Sequence, residues 1–210
     1  MKLLVLGLPR SRSNVITDSL AKFYNIPNLT EPYFNVMDDI SYAGRIDQLT
    51  NILLRNQDFV CKLQSTNISI NPLDGYTQFQ FNVYDGIYVT MRKNIVDQIA
   101  SLIVATTNNS WARYIKNPTS ITFVQNKHMY LLTELETDIK KMNILKNQLV
   151  KDNIVVKTLY YETIEEWIQN NLNNVTSGFE KSNYDYKKII SNYNELEEVV
   201  SCYFEKFESL

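Results

Sequence analysis

At 210 residues the chain has room for one domain with its own core, and 44% apolar against 21% charged residues excludes a disordered polymer. A formal net charge of −2 excludes a generic duplex-binding surface, so no nucleic-acid partner is expected, although a local basic pocket for a small anion stays compatible with it. Two distant cysteines, Cys61 and Cys202, and a single histidine, His128, supply no zinc spacing. The thiols read as buried and reduced, and the histidine as a helix-surface or packing residue.

The opening run Met1 to Gly7 is too short for a signal-peptide core and breaks at Pro9-Arg10. No later run has the length of a membrane span. Asn-x-Ser/Thr triplets at Asn28 and Asn174 are those that chance supplies in an Asn-rich chain. The expectation is a cytoplasmic protein with no transmembrane segment.

In chain order, Leu3 to Leu6 is the first buried strand, followed by a polar turn and a helix from about Ser13 to Tyr24, with Val15, Ile16, Leu20 and Phe23 at helical spacing. Phe59 to Leu63 is a second strand and Gly86 to Met91 a third. A helix follows with Ile95, Ile99, Leu102 and Ile103 on one face and Asn94 as its N-cap. The stretch from about Thr119 to Val150 is mainly helical. Asn153 to Thr158 is a fourth strand, followed by a helix through Trp167, and a last helix runs from about Tyr186 to Phe207. The alternation predicts an α/β fold, a central parallel sheet flanked by helices in one domain spanning residues 1–210, with functional loops at the carboxyl ends of the strands. No coiled-coil seam marks an oligomer interface, and the oligomeric state stays open.

The loop after the first strand is the strongest chemical signal. A strand that turns tightly into a helix aims unpaired N–H groups and a positive partial charge at one point, where a phosphate or sulfate is held. Arg10 and Arg12 add two cations there, and Ser11, Ser13 and Asn14 add side-chain donors. A Walker A loop needs G-x-x-x-x-G-K-[ST], whereas Gly7 is followed five positions later by Arg12, then Ser13 and Asn14. ATP or GTP hydrolysis and a kinase-like P-loop enzyme are therefore disfavoured.

Pro9-Arg10-Ser11-Arg12-Ser13-Asn14 resembles the phosphosulfate-binding loop of sulfotransferases, approximately P-[KR]-S-G-[ST]-[TW], with Arg12 standing where the family usually has glycine. A second segment, Met91 to Leu102, looks like the family's 3′-phosphate segment, in which a basic residue ends a strand and a serine lies eight residues on. By spacing Lys93 takes the family's arginine position. Arg92 fits if the turn is one residue longer, and either is paired with Ser101. Val155 to Ile164 resembles the family's late strand and Tyr-Glu-Asp-Leu turn, Lys62 matches a lysine on an earlier strand, and Asn192 to Leu196 resembles the ends of small bacterial and phage-type members.

The resemblance implies a P-loop-like, nucleotide-binding architecture and 3′-phosphoadenosine-5′-phosphosulfate as donor, with no metal. Pro9, Arg10, Ser11, Arg12, Ser13 and Asn14 would hold its phosphosulfate. Arg10 and Lys62 would stabilise the leaving group. Many cytosolic members place a histidine two residues after the strand lysine, where this chain has Gln64. Others use a glutamate after the first helix, and Glu31 is the candidate base. Tyr33, Phe34, Trp111 and Tyr114 fall near loops that could line a pocket for a small-molecule, glycan or lipid acceptor, whose identity nothing in the sequence specifies. A catalytically silent adenosine-bisphosphate binder is the alternative.

Overall fold

The computed structural model describes residues 1–29, 58–65, 81–109, 118–173, 175 and 184–208. Among these residues four strands, β1 (Lys2–Gly7), β2 (Phe59–Gln64), β3 (Gly86–Met91) and β4 (Val156–Tyr160), form a parallel sheet in the order β2-β1-β3-β4. The helices among the described residues are α1 (Ser13–Tyr24), α2 (Ile95–Thr107), α3 (Gln125–Lys151), α4 (Ile164–Asn171), the short α5 (Tyr186–Ile189) and α6 (Tyr193–Glu208). The expected α/β architecture, a parallel sheet flanked by helices, is what the chain forms. Among the described residues no helix is long and apolar enough to cross a membrane.

The chain divides into two compact units, Met1–Met91 with Ile139–Phe179 and Arg92–Asp138 with Glu180–Leu210. The first holds the whole sheet. β1 is central, Leu3 to Leu8 are all buried, and such a continuous apolar run is what a strand covered on both faces requires. Leu3 and Val5 share a cluster with Val15, Ile16, Leu20 and Ala21 of α1 and Ile164 and Ile168 of α4. Leu4 and Leu6 point the other way and are equally buried. Trp167 of α4 meets Tyr88 of β3 edge-on at 5.7 Å, and the Lys157 ammonium of β4 lies 4.7 Å over the same indole.

In the second unit α2 packs on α5 and α6. The Asn94 side chain caps α2 by accepting from the Asp97 N–H (2.9 Å), as its sequence position predicts. The long helix starts at Gln125, later than the expected Thr119, and α4 runs past Trp167 to Asn171; two further departures have local reasons. The fourth strand begins at Val156, because Asn153 takes a left-handed conformation (φ 59°) and Ile154 N–H closes back on Leu149 C=O (2.9 Å), which ends α3. The last helix is two: Ile121 bridges to Ile190, donating to Ile189 C=O (2.8 Å) and accepting from Ser191 N–H (2.9 Å), so those backbone groups pair sideways instead of along a helix. Asn192 fastens the break, accepting from Phe123 N–H (2.7 Å) and donating to Phe123 C=O (2.9 Å).

His128 is buried in the first turn of α3, stacked on Phe123, and its Nδ1 accepts from Val124 N–H (3.0 Å). Burial, and then the Lys127 charge, hold its pKa below the ordinary value of 6.5. The unfolded chain therefore takes up this proton first. The associated stability is complete above about pH 6.5 and is lost as pH falls toward the lowered folded value, with a slope of at most about 1.4 kcal/mol per pH unit from this group. Urea unfolding between pH 7 and 5 is expected to show this loss in the parent protein, and a visibly flatter profile in His128→Asn.

Candidate functional site at the carboxyl end of β1

The loop between β1 and α1 begins with a close approach. A Cβ on Gly7 would lie 2.6 Å from Ser13 Cβ, 2.7 Å from Ser13 Oγ and 3.1 Å from Thr90 Oγ1, so glycine lets the first residue of α1 stand over the strand end. Leu8 N–H then donates to Thr90 C=O (3.2 Å), and a turn closes from Ser11 N–H to Leu8 C=O (3.2 Å). Pro9 occupies the second position of that turn and Arg10, with φ 60°, the third, the pattern of a type II turn. The buried Ser11 hydroxyl donates to Leu8 C=O (2.6 Å) and shares a hydrogen bond with the Thr90 hydroxyl (2.7 Å). Its side chain is thus used inside the loop.

Arg12 is the N-cap of α1 in a left-handed conformation (φ 64°, ψ 26°), and no side-chain cap closes the helix. This is the geometry glycine takes without strain, at the position where the sulfotransferase pattern has glycine. The Arg12 carbonyl accepts from Val15 N–H (3.0 Å) and Ile16 N–H (3.3 Å). Its guanidinium is turned to the segment after β4: Nη2 lies 3.1 Å from Glu165 Oε1, and the charge sits 5.3 Å from the centre of the Tyr161 ring. Ser13 is buried and Asn14 half-buried in the first helical turn.

The structure brings Lys62 to this loop. Lys62 lies on β2, is 3% exposed, and its ammonium donates to Asn14 Oδ1 at the start of α1. Gln64 ends the same strand opposite Gly7. Pro9, Arg10, Ser11, Arg12, Ser13, Asn14 and Lys62 therefore belong to one neighbourhood of the first unit, built on the β2-β1-β3 pairing. The Lys62 ammonium meets a helix N-terminus there, in a loop that also contains Arg10, an arrangement suited to an oxyanion. Cys61, beside Lys62, is buried, and burial pushes its thiol up to about 12, so it is not a thiolate at neutral pH.

Arg92, Lys93 and Ser101 lie in the second unit. Arg92 is buried, with Nη2 3.5 Å from Asp97 Oδ2 and its charge 5.9 Å from the Tyr186 ring centre. Asp97 also accepts from Asn94 Nδ2 (3.0 Å) and from the Tyr193 hydroxyl (2.9 Å), whose pKa burial and then the Asp97 contact raise far above the usual phenol value. Ser101 is buried in α2, and Lys93 is exposed. Glu31, Tyr33, Phe34, Trp111 and Tyr114 lie outside the described residues. Among those that are described, no group of three or more His, Cys, Asp or Glu side chains forms a metal site.

Two loop partners had no sequence signal. Thr90 matters through the β1–β3 register, which pairs it with Gly7 across 83 positions of chain. Glu165 reads as an ordinary first-turn helix acid, and only the structure sets it against Arg12. No protein-family model and no curated protein matches the chain.

Replacing Gly7 by alanine is expected to lower unfolding stability by about 1–3 kcal/mol, the usual cost of overpacking. Denaturant melts would register it as a lower midpoint. An unchanged midpoint would mean the strand end has room that the Ser13 contact denies.

Proposed function

We propose that the protein is a sulfotransferase, moving a sulfuryl group from 3′-phosphoadenosine-5′-phosphosulfate to a hydroxyl or amine of an acceptor. The observation that carries this reading is the meeting of buried Lys62 with the uncapped N-terminus of α1, in a loop whose left-handed Arg12 occupies the family's glycine position. In this reading the acceptor heteroatom attacks sulfur in line while the bond from sulfur to the 5′-phosphate oxygen breaks, leaving 3′,5′-adenosine bisphosphate. Arg10 and Lys62 offset the charge that grows on that leaving oxygen, and the backbone N–H groups of the loop hold the group in place. Glu31 takes the acceptor's proton.

By the same resemblance the donor's 3′-phosphate falls to Arg92 or Lys93 with Ser101. The burial of both Arg92 and Ser101, against the exposure of Lys93, favours Arg92. One observation supports a second reading, a binder of adenosine bisphosphate without turnover: Gln64 ends β2 where many cytosolic members carry their histidine base, and an amide cannot take a proton at neutral pH.

A thermal-shift titration with 3′,5′-adenosine bisphosphate in the absence of magnesium tests the binding. Ligand at a hundredfold its Kd adds about 2.7 kcal/mol, which for a chain of this length raises the midpoint by roughly 5–10 °C. Lys62→Met is expected to remove most of that shift, and ATP with magnesium to produce none. The opposite pattern, a shift with magnesium-ATP alone, would discard the donor assignment.

Turnover separates enzyme from binder. With labelled donor and an acceptor panel, Glu31→Gln is expected to lose at least about a hundredfold in rate while keeping its bisphosphate shift. A variant as fast as the parent would remove Glu31 as the base. Donor binding with no sulfated product from any acceptor would favour the silent binder.

A further inference from the structure

Arg12 is in two respects a poor residue for its position. A side-chain-bearing residue in the left-handed region is disfavoured, and a cation at a helix N-terminus opposes the macrodipole. Glycine would avoid both problems. The chain keeps arginine, whose side chain is 11% exposed, with a carboxylate at 3.1 Å and an aromatic face at 5.3 Å from the guanidinium. Both partners come from the segment directly after β4: Tyr161 from the 3-10 turn Tyr161–Thr163 and Glu165 from the first turn of α4.

We infer that Tyr161 and Glu165 are positioning residues for the anion-binding loop. They hold the Arg12 side chain, and through it the left-handed backbone that starts α1 and aims its N–H groups at the ligand. The carboxylate neutralises the guanidinium beside the positive helix end, and the ring gives it a second, charge-free support. The loop thus depends on two elements: Thr90 of β3 holds its first half through Leu8 and Ser11, and the β4–α4 segment holds its second half through Arg12. As far as it concerns ligand affinity, this inference rests on the proposed donor binding.

The inference is tested by a substitution cycle in the full chain, because glycine at position 12 takes the left-handed conformation unaided. Tyr161→Leu, which changes no charge, and Glu165→Gln are made with Arg12 present and again on Arg12→Gly. The first readout needs no ligand: hydrogen exchange of the Ser11, Val15 and Ile16 amides, whose bonds to Leu8 and Arg12 carbonyls define the loop. Each variant is expected to speed that exchange about tenfold with Arg12 present, and to leave it unchanged on Arg12→Gly. The second readout is affinity for 3′,5′-adenosine bisphosphate, expected to fall about tenfold in Tyr161→Leu and to be the same in Arg12→Gly with and without Tyr161→Leu. Unchanged exchange with Arg12 present, or an equal effect in both backgrounds, overturns the inference. Failure of the parent protein to bind the bisphosphate overturns the functional reading instead, and the exchange readout still decides the role of Tyr161 and Glu165.

Discussion

The space above Gly7 is too small for a methyl group, and the rest of the loop follows from that contact. Ser13 stands against the end of β1, so α1 starts directly over the strand instead of beside it. The chain must then reverse within five residues, from Leu8 to Arg12. It does so by placing Arg10 and Arg12 in left-handed conformations and by anchoring Leu8 and Ser11 to Thr90 on the neighbouring strand. A side chain at position 7 would push Ser13 away, and with it the helix N-terminus and Asn14, the partner of Lys62.

Electrostatics in this region run against the usual preference of helices. Helix N-termini favour acceptors and acids, but the first turn of α1 contains no acid, its N-cap is an arginine, and a buried lysine reaches it from β2. In a chain of net charge −2 such a concentration of positive charge is local, not a reflection of composition. Helix α2 shows the ordinary alternative: Asn94 caps it, Asp97 sits in its first turn, and the nearby Arg92 is matched by that carboxylate. The two helix starts thus differ in kind: an amide cap and an acid open α2, whereas an arginine N-cap and a lysine contact open α1.

Much of this was legible from the residues alone. Strand β3 and helix α1 have the limits their apolar spacing predicts, and β1 and β2 extend only one or two residues beyond their apolar runs, because buried parallel strands and amphipathic helices write their periods directly into the chain. Asn94 announces its own cap. What was not legible depends on partners distant in sequence. The break at Ile190 arises from pairing with Ile121, and β4 starts late because Asn153 closes α3, neither of which a periodicity reveals. At the loop, the grouping of Lys62 with Asn14 was implied only by resemblance. The position of Ser11 suggests a ligand donor, while its hydroxyl is engaged by Leu8 and Thr90. In the sequence Arg12 looks like a second cation for the ligand, and only the fold shows its engagement by Tyr161 and Glu165.

The parallel order β2-β1-β3-β4 also has a consequence in time. The partners that shape the loop are far apart along the chain: Ser11 waits for Thr90, Asn14 for Lys62, and Arg12 for Glu165. None of these closures is local, and contacts of such separation form late because chain entropy must be spent before they are made. A nascent or partly folded chain that has only β1 and α1 therefore has the loop sequence without the loop. Any anion that recognised the finished loop would have little to bind before the sheet has assembled, and would act mainly by slowing unfolding rather than by speeding folding.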